Sequence, residues 1–189
     1  MGQSCCPHRG PNPPLPRTLA AEEKLLAVLP DPGVVLYKDT VIVLPGGALA
    51  TIHSVEVPQS ETEEPPFVFI PGYGTGAAIF SLAWHELLSR MTADGSFKPR
   101  RLIAVDPLGW NLSSHPRWTA GLDPDKAEEW FVESLEGWRS ASGIERMDLV
   151  GHSIAGGYLA ASYAERHSNR GKVEQVEQPP LNRQVGGRK

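Results

Sequence analysis

Ser153 stands in the run "MDLVGHSIAGGYLAASYAERH" (147 to 167), behind an apolar segment and ahead of a helical one. A serine hydroxyl attacks a carbonyl effectively when its oxygen is exposed and hydrogen-bond donors await the oxyanion that forms. The order strand, sharp turn, helix can meet both needs: the turn lifts the serine above the sheet, and the helix aims its unpaired N–H groups and positive dipole end at the site. "GHSIAG" is close to the G-x-S-x-G pattern; Gly151 holds the first glycine position, Ala155 takes the second, and Gly156 and Gly157 follow. The backbone N–H of Ile154 is then one oxyanion donor. The glycine-rich "FIPGYGTG" (69 to 76), directly after another apolar segment, offers the second donor through the backbone N–H of Tyr73. A phosphate-cradling loop is the competing reading, but neither G-x-G-x-x-G nor G-x-x-x-x-G-K-[ST] is satisfied there.

These turns need elements to hold them. "AEEKLLAVL" (20 to 29) reads as a short amphipathic helix stopped by Pro30 and Pro32. "VVLYKDTVIVL" (34 to 44) and "ALATIHSVEV" (48 to 57), joined through Pro45, Gly46 and Gly47, read as an antiparallel hairpin. "PFVFI" (66 to 70), "RLIAVD" (101 to 106) and "RMDLV" (146 to 150) are short and apolar at successive positions, as strands covered on both faces are. Phe80, Trp84, Leu87, Leu88 and Met91 share one side of a predicted helix. Asp123 is placed to cap a second helix that Pro124 begins and Gly143 ends. Its apolar face carries Ala127, Trp130, Phe131, Leu135 and Trp138, with Glu128, Glu129, Glu133 and Glu136 elsewhere. Strands alternating with helices predict an α/β fold: a mostly parallel sheet with right-handed crossovers and helices on its faces.

The 189 residues suit one domain, and a net charge of −4 offers no attraction to nucleic-acid phosphates. No run approaches the ~18 apolar residues that crossing a bilayer takes, and no secretory signal opens the chain, so a cytosolic location is expected. The opening "MGQSCCPHRGPNPPLP" has five prolines in sixteen residues, and residues 1 to 18 read as a flexible leader. Gly2 follows Met1 as N-myristoylation demands, although Cys6 stands where that pattern wants Ser or Thr; Cys5 and Cys6 are candidate palmitoylation sites. An unmodified leader is the simpler reading. With no other cysteine in the chain, neither a disulfide nor a thiolate metal site is expected, and no cofactor is implied.

The run from "AEEKLL" through "PGYGTG" and "VDPLGWNLSS" to "EEWFVESLEGWRSASGIERMDLVGHSIAGGYLAASYAERH" resembles one branch of the α/β-hydrolase fold family. That branch contains a lipid-droplet coactivator of triglyceride lipase, a phospholipase acting on N-acyl phosphatidylethanolamines, and plant and fungal lysophosphatidic acid acyltransferase-like proteins. The resemblance covers about residues 20 to 168, and "FVESLEGWR" followed by "GHS" is its most specific part. It implies that Ser153 occupies the nucleophile position, which is serine in the phospholipase-like members and asparagine in the coactivator. It implies a lipid or phospholipid substrate, a membrane or lipid-droplet surface, and a lipase as possible partner. Pro71 departs from the family, where histidine usually begins the glycine loop. Asn111 stands where the family usually has glycine, a change that asparagine's tolerance of left-handed backbone angles can absorb.

In this fold the partners of the nucleophile follow in the order Ser, acid, His. His167, the single histidine after the serine, lies fourteen residues along the same helix, about 21 Å away at the helical rise, and cannot act as its base. His152 is better suited to supporting the turn; His53, His85 and His115 precede it. An H-x-x-x-x-D acyltransferase pattern is missing, since no histidine has an aspartate five positions later. Residues 168 to 189 carry five basic and two acidic side chains, and show no apolar strand pattern; residues 169 to 189 are expected to be a disordered tail. The expected organisation is a leader to 18, an α/β-hydrolase domain over 19 to 168 without its C-terminal half, and that tail. "RMDLV" would then be an exposed apolar edge strand. The functional expectation is a lipid-metabolising serine hydrolase or acyltransferase-like protein, cut short after the nucleophile turn and inactive alone. The alternatives are a non-catalytic lipid-associated protein that modulates a lipase, with Trp110 and Trp118 facing lipid, and a fragment without function.

Overall fold

A computed structural model describes residues 16–59, 62–93, 98–118 and 123–173. The lipidation candidates Gly2, Cys5 and Cys6 lie outside these residues, as does the tail from 174 onward. Among the described residues six strands form one sheet: β1 (Leu36–Val43), β2 (Leu49–Val57), β3 (Phe67–Ile70), β4 (Leu102–Val105), β5 (Met147–Gly151) and β6 (Gly171–Val173), in the spatial order β1-β2-β4-β3-β5-β6. The hairpin β1–β2 and the pair β2–β4 are antiparallel; β4–β3, β3–β5 and β5–β6 are parallel.

Among the described residues four α-helices cover the sheet: α1 (Pro16–Leu26), α2 (Ser81–Ala93), α3 (Pro124–Ala141) and α4 (Ser153–Arg166). The short apolar strands bury both faces, and their side chains divide between two cores as the two-residue pleat requires. Val68, Ile70, Ile103, Val105 and Leu149 join Leu135, Trp138 and Tyr163 beneath α3 and α4. The intervening Phe69, Leu102 and Ala104 join Leu26, Trp84, Leu88 and Met91 beneath α1 and α2. The two faces of the sheet therefore carry separate cores joined through the strands.

Asp123 caps α3 as its position predicts, accepting from the N–H groups of Asp125 and Lys126, and Gly143 turns the chain away with φ 68°. Glu128 and Glu136 do not simply face solvent. Glu128 takes hydrogen bonds from Tyr158, Ser162 and Arg166 of α4, and Glu136 from Tyr163 and from Arg139 of its own helix. These two carboxylates tie α3 to α4 over the sheet.

Two expectations need correction. The first helix begins at Pro16, inside the segment expected to be a flexible leader, because a proline at the helix start loses no hydrogen bond. The chain beyond α4 also supplies a strand: Met147 pairs with Gly171, Asp148 with Lys172 and Leu149 with Val173. β5 is thus an interior strand and not the sheet's edge. A three-residue strand has no room to display a period-two pattern, which is why "GKV" did not read as one. Gly171 allows the approach, since a Cβ there would lie 2.8 Å from the Tyr163 ring.

Candidate active site

The strands β3 and β5 end level with one another, Ile70 opposite Gly151, so the glycine loop and the serine turn leave the sheet side by side. β4 lies on the other flank of β3, and its following loop, 106 to 118, rises beside the glycine loop. This is the crevice beyond the carboxyl ends of a parallel sheet, where open α/β folds place ligands.

Ser153 occupies the left-handed region at φ 62°, a conformation rare for a side chain other than glycine, and it is exposed as the first residue of α4. Such a backbone costs about 1–3 kcal/mol and persists only when surrounding contacts over-determine it. Here the contacts are main chain on main chain. The His152 N–H donates to the Ile70 carbonyl at 3.0 Å. A Cβ on Gly156 would lie 2.3 Å from that same carbonyl oxygen, and one on Gly151 would lie 2.5 Å from the Gly156 oxygen. A Cβ on Gly72 would meet the Ser153 Cβ at 2.8 Å and His152 Nδ1 at 2.9 Å. The glycine loop therefore rests directly against the serine turn, bringing together the predicted residues Tyr73, Ser153 and Ile154. Ile154, second in α4, has an N–H that no preceding helical carbonyl can take.

Among the described residues the Ser153 hydroxyl has no hydrogen-bond partner. His167 caps the far end of α4, where its ring stacks on Tyr163, as expected for a residue remote from the serine. His152 lies against Gly72 and edge-on to Phe80, in keeping with a supporting role. Among the described residues no cluster of metal-ligating side chains occurs.

Aromatic and apolar side chains surround the crevice. Tyr73 and Ile154 are 86% and 89% exposed. Trp110 meets Tyr73 edge-on at 6.0 Å between ring centres, and Trp118 packs on Trp130 and Phe131. Trp118 keeps one side open, whereas Trp138 is fully buried in the core. Beneath the turn, Ile70, Pro107, Phe131 and Leu159 leave only a small gap between their side chains.

Asn111 has φ 40°, so asparagine does adopt the left-handed angles foreseen where glycine is usual. Its side chain donates to Asp106 at 2.8 Å and presses on Gly76, where a Cβ would come within 2.2 Å of Asn111 Nδ2.

A profile of the family described as alpha/beta hydrolase fold matches residues 65–174. The chain belongs to that family. It is 33% identical over 158 residues to the 1-acylglycerol-3-phosphate O-acyltransferase of Arabidopsis thaliana, a match covering 79% of this chain and 35% of the relative. It is 36% identical over 121 residues to the human (Lyso)-N-acylphosphatidylethanolamine lipase, covering 64% of this chain and 32% of that one. An α/β hydrolase from Novosphingobium aromaticivorans shares the fold with a TM-score of 0.50 at 22% identity, over 74% of this chain and 44% of its own. The chain spans about a third of the length of the two curated relatives. Among the described residues no helix is long and apolar enough to cross a membrane.

Sequence reasoning passed over a charge cluster centred on the buried His53 and Glu22. His53 of β2, 2% exposed, holds Glu22 of α1 at 2.9 Å through Nε2 and Asp39 of β1 at 2.7 Å through Nδ1. A signal was available: Glu22 falls on the same helical stripe as Leu26 and Leu29, both buried. Burial alone would push the His53 pKa down; the hydrogen bonds and charges of Glu22 and Asp39, helped by Asp106, outweigh it and hold the imidazolium up to about 9.

Two predictions follow from this geometry. Gly156→Ala should lower stability by about 1–3 kcal/mol, as overpacking against main chain does, whereas Gly157→Ala, with open space at its Cβ, should be neutral or raise it by up to about 1 kcal/mol. Urea unfolding of the two variants decides between them. For His53, the folded-state pKa lies above the unfolded value of ~6.5, so its contribution is fully present below that pH and is lost as pH rises through about 9. The thermal midpoint should fall across that window, a loss on the order of 3 kcal/mol, and His53→Gln should flatten the profile when scanned by calorimetry.

Proposed function

We propose that the chain carries the nucleophile and oxyanion elements of a lipid-directed serine hydrolase or acyltransferase-like protein. The observation that carries this reading is Ser153 at φ 62° at the strand-to-helix turn, braced by Gly72 of the glycine loop. Backbone strain of this kind is concentrated at functional sites, and an exposed serine at a strand-to-helix turn is where this fold places a nucleophile. In this reading Ser153 Oγ attacks the carbonyl carbon of an acyl ester or amide in a glycerophospholipid. The N–H groups of Tyr73 and Ile154 stabilise the oxyanion, and a base supplied from outside the described residues takes the serine proton. The acyltransferase and the lipase among the relatives support an acyl lipid as the substrate class. A serine without its base and acid retains only weak catalysis from the oxyanion donors, so the chain alone should turn over acyl lipids slowly.

Fluorophosphonate labelling, mapped by peptide mass spectrometry, tests this. The purified chain should label slowly at neutral pH, faster when concentrated imidazole supplies a base, and at Ser153 alone; Ser153→Ala should abolish the adduct. Labelling at another serine would refute the nucleophile assignment. Rapid labelling without imidazole would refute the missing base.

A second reading, a non-catalytic protein that docks on a lipid surface near a lipase, is favoured by the exposure of Tyr73 and Ile154. A tyrosine ring suits a membrane interface, where its apolar body is buried and its hydroxyl stays wet, and an adjacent exposed isoleucine adds apolar area to the same contact. Flotation with phosphatidylcholine liposomes should carry the wild-type chain, and Tyr73→Ser/Ile154→Ser should stay at the bottom; equal flotation of both would rule out this surface.

A further inference from the structure

Asp106 directly follows β4 and is fully buried, and among the described residues no cation hydrogen-bonds its carboxylate. Its Oδ1 accepts from the Ala77 N–H at 2.8 Å, where the glycine loop passes into a 3-10 turn (Ala77–Phe80). Its Oδ2 accepts from Asn111 Nδ2 at 2.8 Å and from the Leu112 N–H at 3.1 Å, both in the loop after β4. Its own carbonyl accepts from Ser113 Oγ at 2.6 Å, and its N–H donates to the His53 carbonyl at 3.0 Å. The carboxylate thus has acceptors turned toward two separate loops. An asparagine could serve one loop and would meet the donors of the other with a donor of its own.

The two loops it joins are those that frame Ser153. Gly76 and Asn111 are in contact at the base, Trp110 and Tyr73 touch at the tips, and Gly72 lies on the serine turn. We propose that Asp106 is a positioning residue: by clamping Ala77 on one side and Asn111 with Leu112 on the other, it fixes the level of the glycine loop against Ser153. This rests on the reading of Ser153 as the nucleophile position and the Tyr73 N–H as an oxyanion donor. A buried carboxylate is an expensive way to fill this space, because taking the charge out of water costs free energy that an apolar side chain would not. What it gains is two-sided acceptance.

Titration supplies a readout that mere packing would not. Burial raises the Asp106 pKa to about 6, against the opposing hydrogen bonds from Leu112, Asn111 and Ala77 and the nearby charge of His53. The charged groups behind this pair are His53 on β2, Glu22 on α1 and Asp39 on β1; His53, held up to about 9, stays protonated from pH 7 to 5. Protonated Asp106 would turn one acceptor into a donor and open one side of the clamp. The sign for global stability is opposite. A carboxylate whose folded-state pKa is raised costs stability above that value, and the cost is relieved as pH falls through about 6. Acid should therefore loosen the loops without this group unfolding the domain.

Amide hydrogen exchange by mass spectrometry, corrected for intrinsic rates, tests the clamp on the full chain. In Asp106→Asn, exchange in residues 72 to 77 and 109 to 113 should rise at least about tenfold while the β1–β2 hairpin keeps its protection. Lowering the pH from 7 to 5 should loosen the same two segments in the wild type and leave the variant unchanged. Unchanged loop exchange in the variant, or faster exchange everywhere alike, would overturn the proposal. Should the variant not fold, the wild-type pH series decides: loops indifferent to pH across 6 would overturn it. Imidazole-assisted labelling of Ser153 should slow in the variant. A wild type that never labels sinks the nucleophile reading and leaves the exchange result to judge the clamp.

Discussion

The whole site depends on main chain touching main chain at the end of β3. The Ile70 carbonyl receives the His152 N–H and sits where a Cβ at position 156 would be. With side chains at 151 or 156, α4 could not start so close to the sheet, and Ser153 would relax toward ordinary helical angles. Gly72 extends the same constraint sideways, bringing the glycine loop within contact of the serine. Three glycines, at the end of β5, in the first turns of α4 and in the glycine loop, therefore hold one serine in a conformation it would not adopt alone. Hydrophobic burial beneath them supplies the free energy that makes the conformation affordable.

Register converts that contact into a site. Because Ile70 faces Gly151 across a parallel pair and Phe69 faces Ala104 on the other side, three successive strands end at nearly one level. Their following loops have to emerge together, and each carries one component: the glycine loop, the Trp110 loop and the serine turn. Strands buried on both faces keep this register, since a slip by one residue would exchange the two cores. β6 adds to it by pairing with β5, so the strand that bears the serine has neighbours on both edges.

Much of this was legible in the sequence. The doubly apolar runs, the Asp123–Pro124 helix start, the hairpin at Gly46 and Gly47, and the strand-turn-helix around Ser153 each carry a local chemical signature, and each forms where it was expected. The Asn111 conformation was legible for the same reason: few residues tolerate left-handed angles. What was hidden depends on partners far away in the chain. β6 is three residues that become a strand only because β5 offers an edge. Glu22, Asp39 and His53 come from three elements, and no spacing rule joins them. The helical pattern places Glu128 and Glu136 only off the apolar face of their helix, and nothing local foretells that Tyr158 and Tyr163 of α4 come against them.

The hidden residues share a chemical character. Glu22, His53 and Asp106 are polar groups at positions whose neighbours are apolar, and each is less than 4% exposed. Such groups are expensive to bury, and mutual hydrogen bonding offsets that cost. One Glu22 oxygen even lacks a partner among the described residues. Their arrangement does more for geometry than for free energy. His53 joins α1 to the hairpin through its side chain, and through its main chain, by way of Ser113 and Asp106, joins the hairpin to the loop after β4. Apolar side chains would have packed these elements together with latitude in how they slide. Directional bonds remove that latitude, and a glycine loop that must stand at one height beside a serine needs it removed.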